Sequence, residues 1–181
     1  MNSGVDASGI GLSRADATTF FEGSYYLDRS TAELAVQQVL PFIMHAIAEY
    51  RVGDGGFLHI VIMNPGLTPG ETSFENAILY EHSVGDRAAW DADYQRFARA
   101  KARIAWSTGV DSRVVQALRP HLLSRGDTTL WGSAVVEGIV VAVSGAQPWF
   151  DEAFAGMLAY WLKARVQQRV QERKNDTLFL T

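Results

Sequence analysis

The feature that most constrains the fold is a β-hairpin pattern between residues 131 and 144. Two apolar arms, residues 131–136 and 139–144, are separated by Glu137 and Gly138. A two-residue connection between apolar runs predicts two antiparallel strands. Both arms are apolar on both faces, so we expect them to be the most buried strands, covered by helices or by a second subunit. The chain is therefore predicted to contain an antiparallel sheet.

Helical patterns and two further strand candidates surround this hairpin. The predicted helices cover residues 30–51, 90–106, 111–118 and the long stretch after Pro148, and the strand candidates are residues 57–63 and 76–84. Ser30 and Glu33 have capping-box spacing, so the first helix is predicted to begin at Ser30. Gly109 is predicted to end the second helix. This order indicates an α/β chain of the α+β type, with an antiparallel sheet flanked by helices.

The first and last helices each have an apolar face. Residues that recur at helical spacing are expected to share one side of a helix. They are Leu40, Ile43, Met44 and Ile47 in the first helix, and Phe150, Phe154, Met157, Trp161 and Leu162 in the last.

The length and composition predict one domain. A chain of 181 residues is long enough for a core of its own and short for two ordinary domains. Residues 1–20 are rich in Gly, Ser, Ala and Asp without an apolar period, so they are predicted to form a flexible arm. Residues 21–181 are then the domain. The chain is 48% hydrophobic and 20% charged, which is typical of a packed core.

Charge, cysteine content and missing motifs exclude several functions. A net charge of −4 gives no positive field for nucleic acid or anionic membranes, so neither partner is expected. The absence of cysteine removes thiol nucleophiles and cysteine metal sites. The phosphate-loop, dinucleotide-binding, zinc-protease and α/β-hydrolase motifs are missing. No secretory signal or membrane-length apolar stretch is evident, so a cytoplasmic location is expected.

The four histidines do not form a metal motif. No pair has the close helical spacing of a metal site, and no metal is predicted. His45 is expected to point to solvent or to an interface, and His59 to be a hydrogen-bonded core residue. His82 lies at the end of a strand candidate, which is a better position for a ligand contact.

Lys101 is the strongest anomaly in the sequence. It falls between Ala98, Ile104 and Ala105 on the apolar face of the second helix. Two interpretations stay open. Either the stem packs while the ammonium reaches the edge of the core or caps a carbonyl, or the amine lines a pocket, where it binds an anion or has a shifted pKa.

The turn from Ser144 to Pro148 is the second candidate site. It leads from a strand into the long helix, and free backbone N–H groups together with the helix dipole favour a carboxylate or phosphate there. Ser144 and Gly145 are therefore ligand-binding candidates. Asp151 lies in the first turn of that helix, where helix capping alone accounts for an acidic residue, and Glu152 is expected to belong to the same electrostatic arrangement.

Two segments resemble the GlcG/HbpS-like, or haem-degrading-domain-like, family. The segment GIVVAVSGAQPWFDEAFA, from Gly138 to Ala155, resembles the end of that family, with its glycine turn, its apolar strand ending in Val-Ser-Gly, and Asp then Ala on the next helix. The segment YQRFARAKARIAWSTG, from Tyr94 to Gly109, is similar to the family's Lys-Ala-containing helix and places Lys101 on that pattern. The order of elements agrees over residues 30–170.

The resemblance implies a profilin-like sheet, assembly into oligomers, and association with haem, a corrinoid or a small metabolite in some branches. The family also has a Gly-Gly-x-Pro element before the hairpin. Trp131 and Gly132 occupy that neighbourhood here, without a proline, and join the ligand-binding candidates. The residues themselves assign no cofactor.

Three functions are compatible with these observations. The first is a small-ligand-binding or accessory homo-oligomer, favoured by the family likeness, the missing catalytic motifs and Lys101. The second is an enzyme acting on a small carboxylate-bearing metabolite, with Lys101 as electrophile or base. The third is a purely structural subunit. A homo-oligomer is expected because the two-sided apolar hairpin and the five tryptophans give more apolar surface than a small sheet hides.

Overall fold

The computed structural model describes residues 23–50, 52–53, 55–173 and 180. The predicted arm, residues 1–20, lies outside the described residues.

Four helices and four strands make up the regular structure of the described residues. The helices are α1 (Arg29–Tyr50), α2 (Tyr94–Thr108), α3 (Ser112–Leu118) and α4 (Pro148–Glu172), and the strands are β1 (Leu58–Met63), β2 (Ile78–Val84), β3 (Ser133–Val136) and β4 (Ile139–Ser144). All neighbouring strands pair antiparallel, in the order β2-β1-β4-β3. The predicted α+β fold, an antiparallel sheet flanked by helices, is confirmed.

The β3–β4 hairpin has the predicted two-residue turn. Glu137 has φ 49° and Gly138 has φ 85°, and positive φ at both central residues is the backbone of the turn that matches strand twist. Val136 pairs with Ile139 directly beside this turn.

The hairpin arms are not both the most buried strands. All six residues of β4 are buried, and so are all six of β1, whereas only the first half of β3 is buried. The strand order explains this difference, because β1 and β4 are central and β3 is an edge strand. The prediction was right for β4 and wrong for β3.

The two faces of the sheet are covered by different helices. Helices α1 and α4 pack on one face, where Leu58, Ile60 and Val143 are buried among them. Helix α2 packs on the other face, and its small residues Ala98 and Ala102 allow close approach to the strands. Both faces of the hairpin are therefore covered within the chain, so the hairpin itself does not require a second subunit.

Helix α1 begins at Arg29, one residue before the predicted Ser30, and its cap is not the predicted capping box. The carboxylate of Asp28, not the hydroxyl of Ser30, accepts the Thr31 backbone N–H at 2.8 Å, and it also accepts the hydroxyls of Ser30 and Thr31. Arg169 of α4 donates to the same carboxylate at 2.9 Å. Burial opposes ionisation of Asp28, but these hydrogen bonds outweigh it and hold its pKa well below the usual range. A shared carboxylate thus ties α1 to α4.

The predicted helix faces are partly correct. Ile43 and Ile47 of α1 are buried, and so are Phe154 and Leu162 of α4. Trp161 is 41% exposed, and its indole N–H donates to Gln38 of α1 at 2.9 Å. Successive residues of a helix are about 100° apart, so Leu162 faces the sheet and its neighbour Trp161 does not.

Candidate functional site

Four of the predicted site residues line one cavity. Lys101, Ser144, Gly145 and Asp151 surround a space of about 350 Å³ between α2 and the β4–α4 connection, which we name the turn cavity. The remaining lining residues are Asp91, Tyr94, Phe97, Leu130, Ala146, Gln147 and Pro148. The helix anomaly and the turn, which are about 45 residues apart in sequence, therefore belong to one place in the fold.

Lys101 ends in a buried ion pair. Its side chain is 2% exposed, and Nζ donates to Asp151 Oδ2 at 2.6 Å, to the Val143 carbonyl at 3.0 Å and to Ser144 Oγ at 3.3 Å. An ammonium has three hydrogens, so each of them has an acceptor within the protein. The predicted position on the buried face of α2 is confirmed, and the ammonium caps a carbonyl instead of reaching the edge of the core.

Asp151 fills the position predicted for a ligand anion. Its Oδ1 accepts the Ala146 backbone N–H at 2.9 Å, and the Gly145 N–H also contributes a hydrogen bond. The polarised N–H groups of the turn are thus directed at a carboxylate of the protein itself. Asp151 accepts backbone hydrogen bonds, as its place in the first helical turn predicts. The donors, Gly145 and Ala146, precede the helix instead of lying within its first turn.

Burial changes the acidity of both members of the Lys101–Asp151 pair. Burial raises the pKa of Asp151 to about 6, against the opposing influence of Lys101 and the turn N–H groups. Burial likewise lowers the pKa of Lys101, against the attraction of Asp151. With one proton shared between the two side chains, the pair adds no net charge to the turn cavity, and Asp91 is the other acidic residue among the described residues that line it.

Gly132 lies behind this pair and not in the turn cavity. Its φ is 141°, and a Cβ at this position would lie 2.5 Å from Asp151 Cβ and 3.1 Å from Lys101 Nζ. Its backbone N–H donates to Ser112 Oγ at 3.2 Å. Only glycine lets the chain pass this close to the pair.

Trp131 and Glu152 also lie outside the turn cavity. The guanidinium of Arg113 lies 6.0 Å from the centre of the Trp131 ring and pairs with Glu152 at 2.9 Å. Glu152 was expected from the sequence to share the electrostatic arrangement of Asp151. This expectation was wrong, because Glu152 pairs with Arg113. Side chains one position apart on a helix point about 100° apart, which separates Asp151 from Glu152.

The histidines lie away from the turn cavity. His82, on β2, has its Nδ1 3.5 Å from the Tyr80 hydroxyl, and the two rings are stacked with centres 6.3 Å apart. Burial lowers the pKa of His82. His45 is exposed on α1, as expected. The described residues contain no group of three or more His, Asp or Glu side chains that could hold a metal ion.

Sequence reasoning missed Gln147. Its side-chain Oε1 is buried and has no hydrogen-bond partner among the described residues, and the residue lines the turn cavity. The available signal was its position: it is the polar residue between the glycine turn and Pro148. A buried amide oxygen without a partner is uncommon in folded proteins, so it requires an explanation.

A polar network that the sequence only partly predicted connects β1, β2 and α2. His59 is 2% exposed, with Nδ1 2.9 Å from Ser83 Oγ and Nε2 3.0 Å from Glu81 Oε1. The predicted hydrogen-bonded core histidine is confirmed. Arg99 holds the same carboxylate with a two-pronged contact at 2.7 and 2.5 Å. Arg99 shares the charge of the Glu81 carboxylate with His59, and His59 is buried, so we assign this network to structure.

The network predicts an acid-sensitive contribution to stability. Burial opposes ionisation of Glu81, but the Arg99 and His59 contacts outweigh it and lower its pKa from 4.5 to about 2. A lowered carboxyl pKa stabilises the fold above pH 4.5, and this contribution disappears as the pH falls towards 2. Urea unfolding of Glu81→Gln between pH 7 and pH 3 should show a lower free energy of unfolding at pH 7. That free energy should also fall less as the pH is lowered than it does in the original protein.

The matched control is Glu75→Gln, whose carboxylate is 61% exposed in its pair with Arg103. It should follow the original protein at every pH. The assignment would be disproved if Glu81→Gln lost as much free energy of unfolding between pH 7 and pH 3 as the original protein does.

The chain matches no protein-family model, no curated protein and no solved structure. The GlcG/HbpS-like resemblance therefore stays a prediction that rests on the two quoted segments. No helix among the described residues is both long enough and apolar enough to cross a membrane.

Proposed function

We propose that this chain is a small-ligand-binding accessory protein of the GlcG/HbpS-like type, and that its ligand occupies the turn cavity. The single observation that carries the proposal is that Gln147 lines this cavity while its buried side-chain Oε1 has no hydrogen-bond partner among the described residues. Leaving a buried acceptor unsatisfied costs about 1–3 kcal/mol. A hydrogen-bond donor on a bound ligand removes that cost once the Gln147 amide turns towards it.

The lining residues define the class of ligand. The Lys101–Asp151 pair contributes no net charge, and the turn N–H groups already bind Asp151. Tyr94, Phe97 and Leu130 supply apolar walls. These features favour an uncharged small metabolite with an apolar body and a donor for Gln147, rather than a ligand held by a carboxylate.

Haem and corrinoids do not fit the turn cavity. Haem iron takes a His, Cys, Met or Tyr side chain as its axial ligand, and Tyr94 is the one such side chain among the described residues that line this cavity. Its hydroxyl donates to Asp91 at 2.6 Å. The volume of about 350 Å³ lies at the small end of ligand pockets, which run from about 300 to 1,000 Å³. Of the ligand classes that the resemblance implies, a small metabolite is the one supported.

One observation favours the catalytic alternative. Burial lowers the pKa of Lys101, the direction that a lysine base or electrophile requires. Two observations weigh against it. The three ammonium hydrogens of Lys101 already have acceptors within the protein, and the turn N–H groups already donate to Asp151. Amine labelling across a pH series separates the two cases, because a catalytic Lys101 reacts at lower pH than Lys163 and a structural Lys101 does not react before the protein unfolds.

Oligomerisation belongs to the same proposal. The hairpin faces are covered by the chain's own helices, so the supporting observation is a set of aromatic side chains that are more than half exposed: Phe42, Trp149 and Tyr160. Such residues favour contacts with a second copy of the chain. A cytoplasmic location remains a prediction from the sequence.

Gln147→Leu is the variant that tests ligand binding. The substitution removes the unsatisfied oxygen and keeps an apolar side chain of similar reach, so we expect the ligand-free protein to unfold at an equal free energy or up to about 1 kcal/mol higher. Native mass spectrometry of protein purified from its own host should show a bound small molecule in the original chain and none in the variant.

The matched control is Gln167→Leu, an exposed glutamine on the same helix, which should retain the bound mass. Retention of the same mass by Gln147→Leu would disprove the role of Gln147. A bare oligomer for the original chain would instead favour the third function, a purely structural subunit.

A further inference from the structure

A second cavity runs along α2 on a different side of the helix from the turn cavity, from Asp93 to Ser107. It has a volume of about 630 Å³, and we name it the arginine cavity. Three of its arginines, Arg96, Arg99 and Arg103, lie on one face of α2 and extend over about 10 Å of helix. Arg125 reaches the same space from the loop at residues 124–127. Four arginines thus line one cavity in a chain whose net charge is −4.

Two of these arginines are already used by the fold. Arg99 holds Glu81 with two hydrogen bonds, and Arg103 pairs with Glu75 at 3.2 Å while its guanidinium lies 4.8 Å from the centre of the Phe74 ring. These contacts hold the Arg99 and Arg103 guanidinium groups in place.

Arg96 and Arg125 are not used in this way. Across residues 23–50, 52–53, 55–173 and 180, their side chains have no ion-pair, hydrogen-bond or aromatic partner. Asp93 and Asp127 also line the cavity, but each already accepts a backbone N–H, from Arg96 and Ser124 respectively. Two guanidinium groups without a partner among the described residues therefore line one space, and the three acids that also line it, Glu75, Asp93 and Asp127, each accept a hydrogen bond from within the protein.

This convergence distinguishes the cavity from an ordinary charged surface. Most arginines of the described chain are matched with a carboxylate, an amide oxygen, a carbonyl or a ring. Besides Arg96 and Arg125, the one further described arginine without such a partner is Arg119, which does not line this cavity. Planar guanidinium groups bind phosphate and carboxylate oxygens two at a time. Their shared chemistry is that of an anion with several oxygens.

We propose that the arginine cavity binds a small molecule with two or three negative charges, through phosphate or carboxylate groups held by Arg96 and Arg125. This site is separate from the turn cavity. It binds anions, the class of ligand that the neutral Lys101–Asp151 pair disfavours in the turn cavity. Because the chain as a whole repels anions, binding depends on these local charges and weakens as salt screens them.

The test is isothermal titration of the full chain with pyrophosphate and, separately, with citrate, at an ionic strength of about 0.01 M, where the screening length is about 30 Å. Hydrogen bonds to charged groups are stronger than those between neutral groups, and the exposure of Arg96 and Arg125 weakens them. We expect the variant with Arg96→Gln and Arg125→Gln together to bind about 10- to 100-fold more weakly. The stronger of the two probes identifies phosphate or carboxylate as the preferred group.

Two control variants make the test specific. Arg119→Gln removes an unpartnered arginine elsewhere on the surface and should change the affinity by less than about twofold. Gln147→Leu should leave pyrophosphate and citrate binding unchanged, so that failure of the turn-cavity proposal and failure of this one are distinguishable. Absence of binding by the original chain, or an equal loss in Arg119→Gln, would overturn the proposal.

Discussion

Lys101→Met is expected to destabilise the protein by about 3–5 kcal/mol, because removing one partner of a buried ion pair leaves an uncompensated charge. Asp151 is 1% exposed, and without Lys101 only the turn N–H groups remain to solvate its carboxylate. Methionine has a similar length to the lysine stem, so the loss reflects the charge more than a cavity. Urea unfolding at pH 7 measures the free energy directly.

The pH dependence of this loss identifies its cause. Lys101 is one of the influences that lower the pKa of Asp151, which burial raises from 3.8 to about 6. Without Lys101 that pKa rises further. A carboxyl whose pKa is higher in the folded state stabilises the fold below its unfolded value and loses this contribution as the pH rises through its folded value. The defect of Lys101→Met should therefore grow from pH 4 to pH 8.

The double variant with Lys101→Met and Asp151→Leu is the matched control. It replaces both charges by apolar groups, and exchanges of this kind are often neutral or stabilising. We expect it to recover part of the lost free energy, because leucine offers no acceptor to the turn N–H groups that Asp151 binds. A double variant as unstable as Lys101→Met, or a defect that is constant with pH, would show that the pair is not the source of the loss.

Gly145→Ala is expected to cost at least about 3 kcal/mol, because it combines a disfavoured backbone conformation, worth about 1–3 kcal/mol, with overpacking of similar cost. Gly145 has φ 150°, and a Cβ there would lie 2.2 Å from the Phe57 carbonyl oxygen and 2.8 Å from Leu58 Cα. These are backbone atoms at the start of β1, and they cannot move without disturbing the central strand. Chemical unfolding measures the loss.

Gly126→Ala separates the two causes. Gly126 has φ 95°, but nothing lies within 4 Å of a Cβ at that position. It should show only the conformational penalty, about 1 kcal/mol. Equal losses for Gly145→Ala and Gly126→Ala would mean that the close approach to β1 has no energetic consequence.

Features that depend on neighbouring residues were predictable from the sequence. Glu137 and Gly138 set the hairpin turn by their own backbone preferences, and Gly109, with φ 67°, ends α2 as expected. The start of α1 was missed because Asp28 and Ser30 are both good capping residues, and the contact from Arg169 that favours Asp28 comes from the far end of the chain.

The candidate site was predictable as an anomaly and not as a set of contacts. Lys101 was conspicuous because a lysine on an apolar face needs a reason. Its partner Asp151 lies 50 positions away, and no periodicity connects the two. The missing hydrogen-bond partner of Gln147 is likewise a property of three-dimensional packing that the sequence does not contain. His82 was a ligand-contact candidate from its strand position alone, and the structure places it outside the turn cavity.

The strand order also has a consequence for how the fold forms. The sheet consists of two hairpin units, β1–β2 and β3–β4, that meet only at β1 and β4. Each unit closes through a connection within its own part of the chain, whereas β2, α2, α3 and β3 all lie between the two strands of the seam. Closing such a long loop is entropically slow, so the hairpins are able to form early and the seam forms late. We therefore expect the most buried part of the sheet to assemble last, with the docking of the two hairpin units as the slow step of folding.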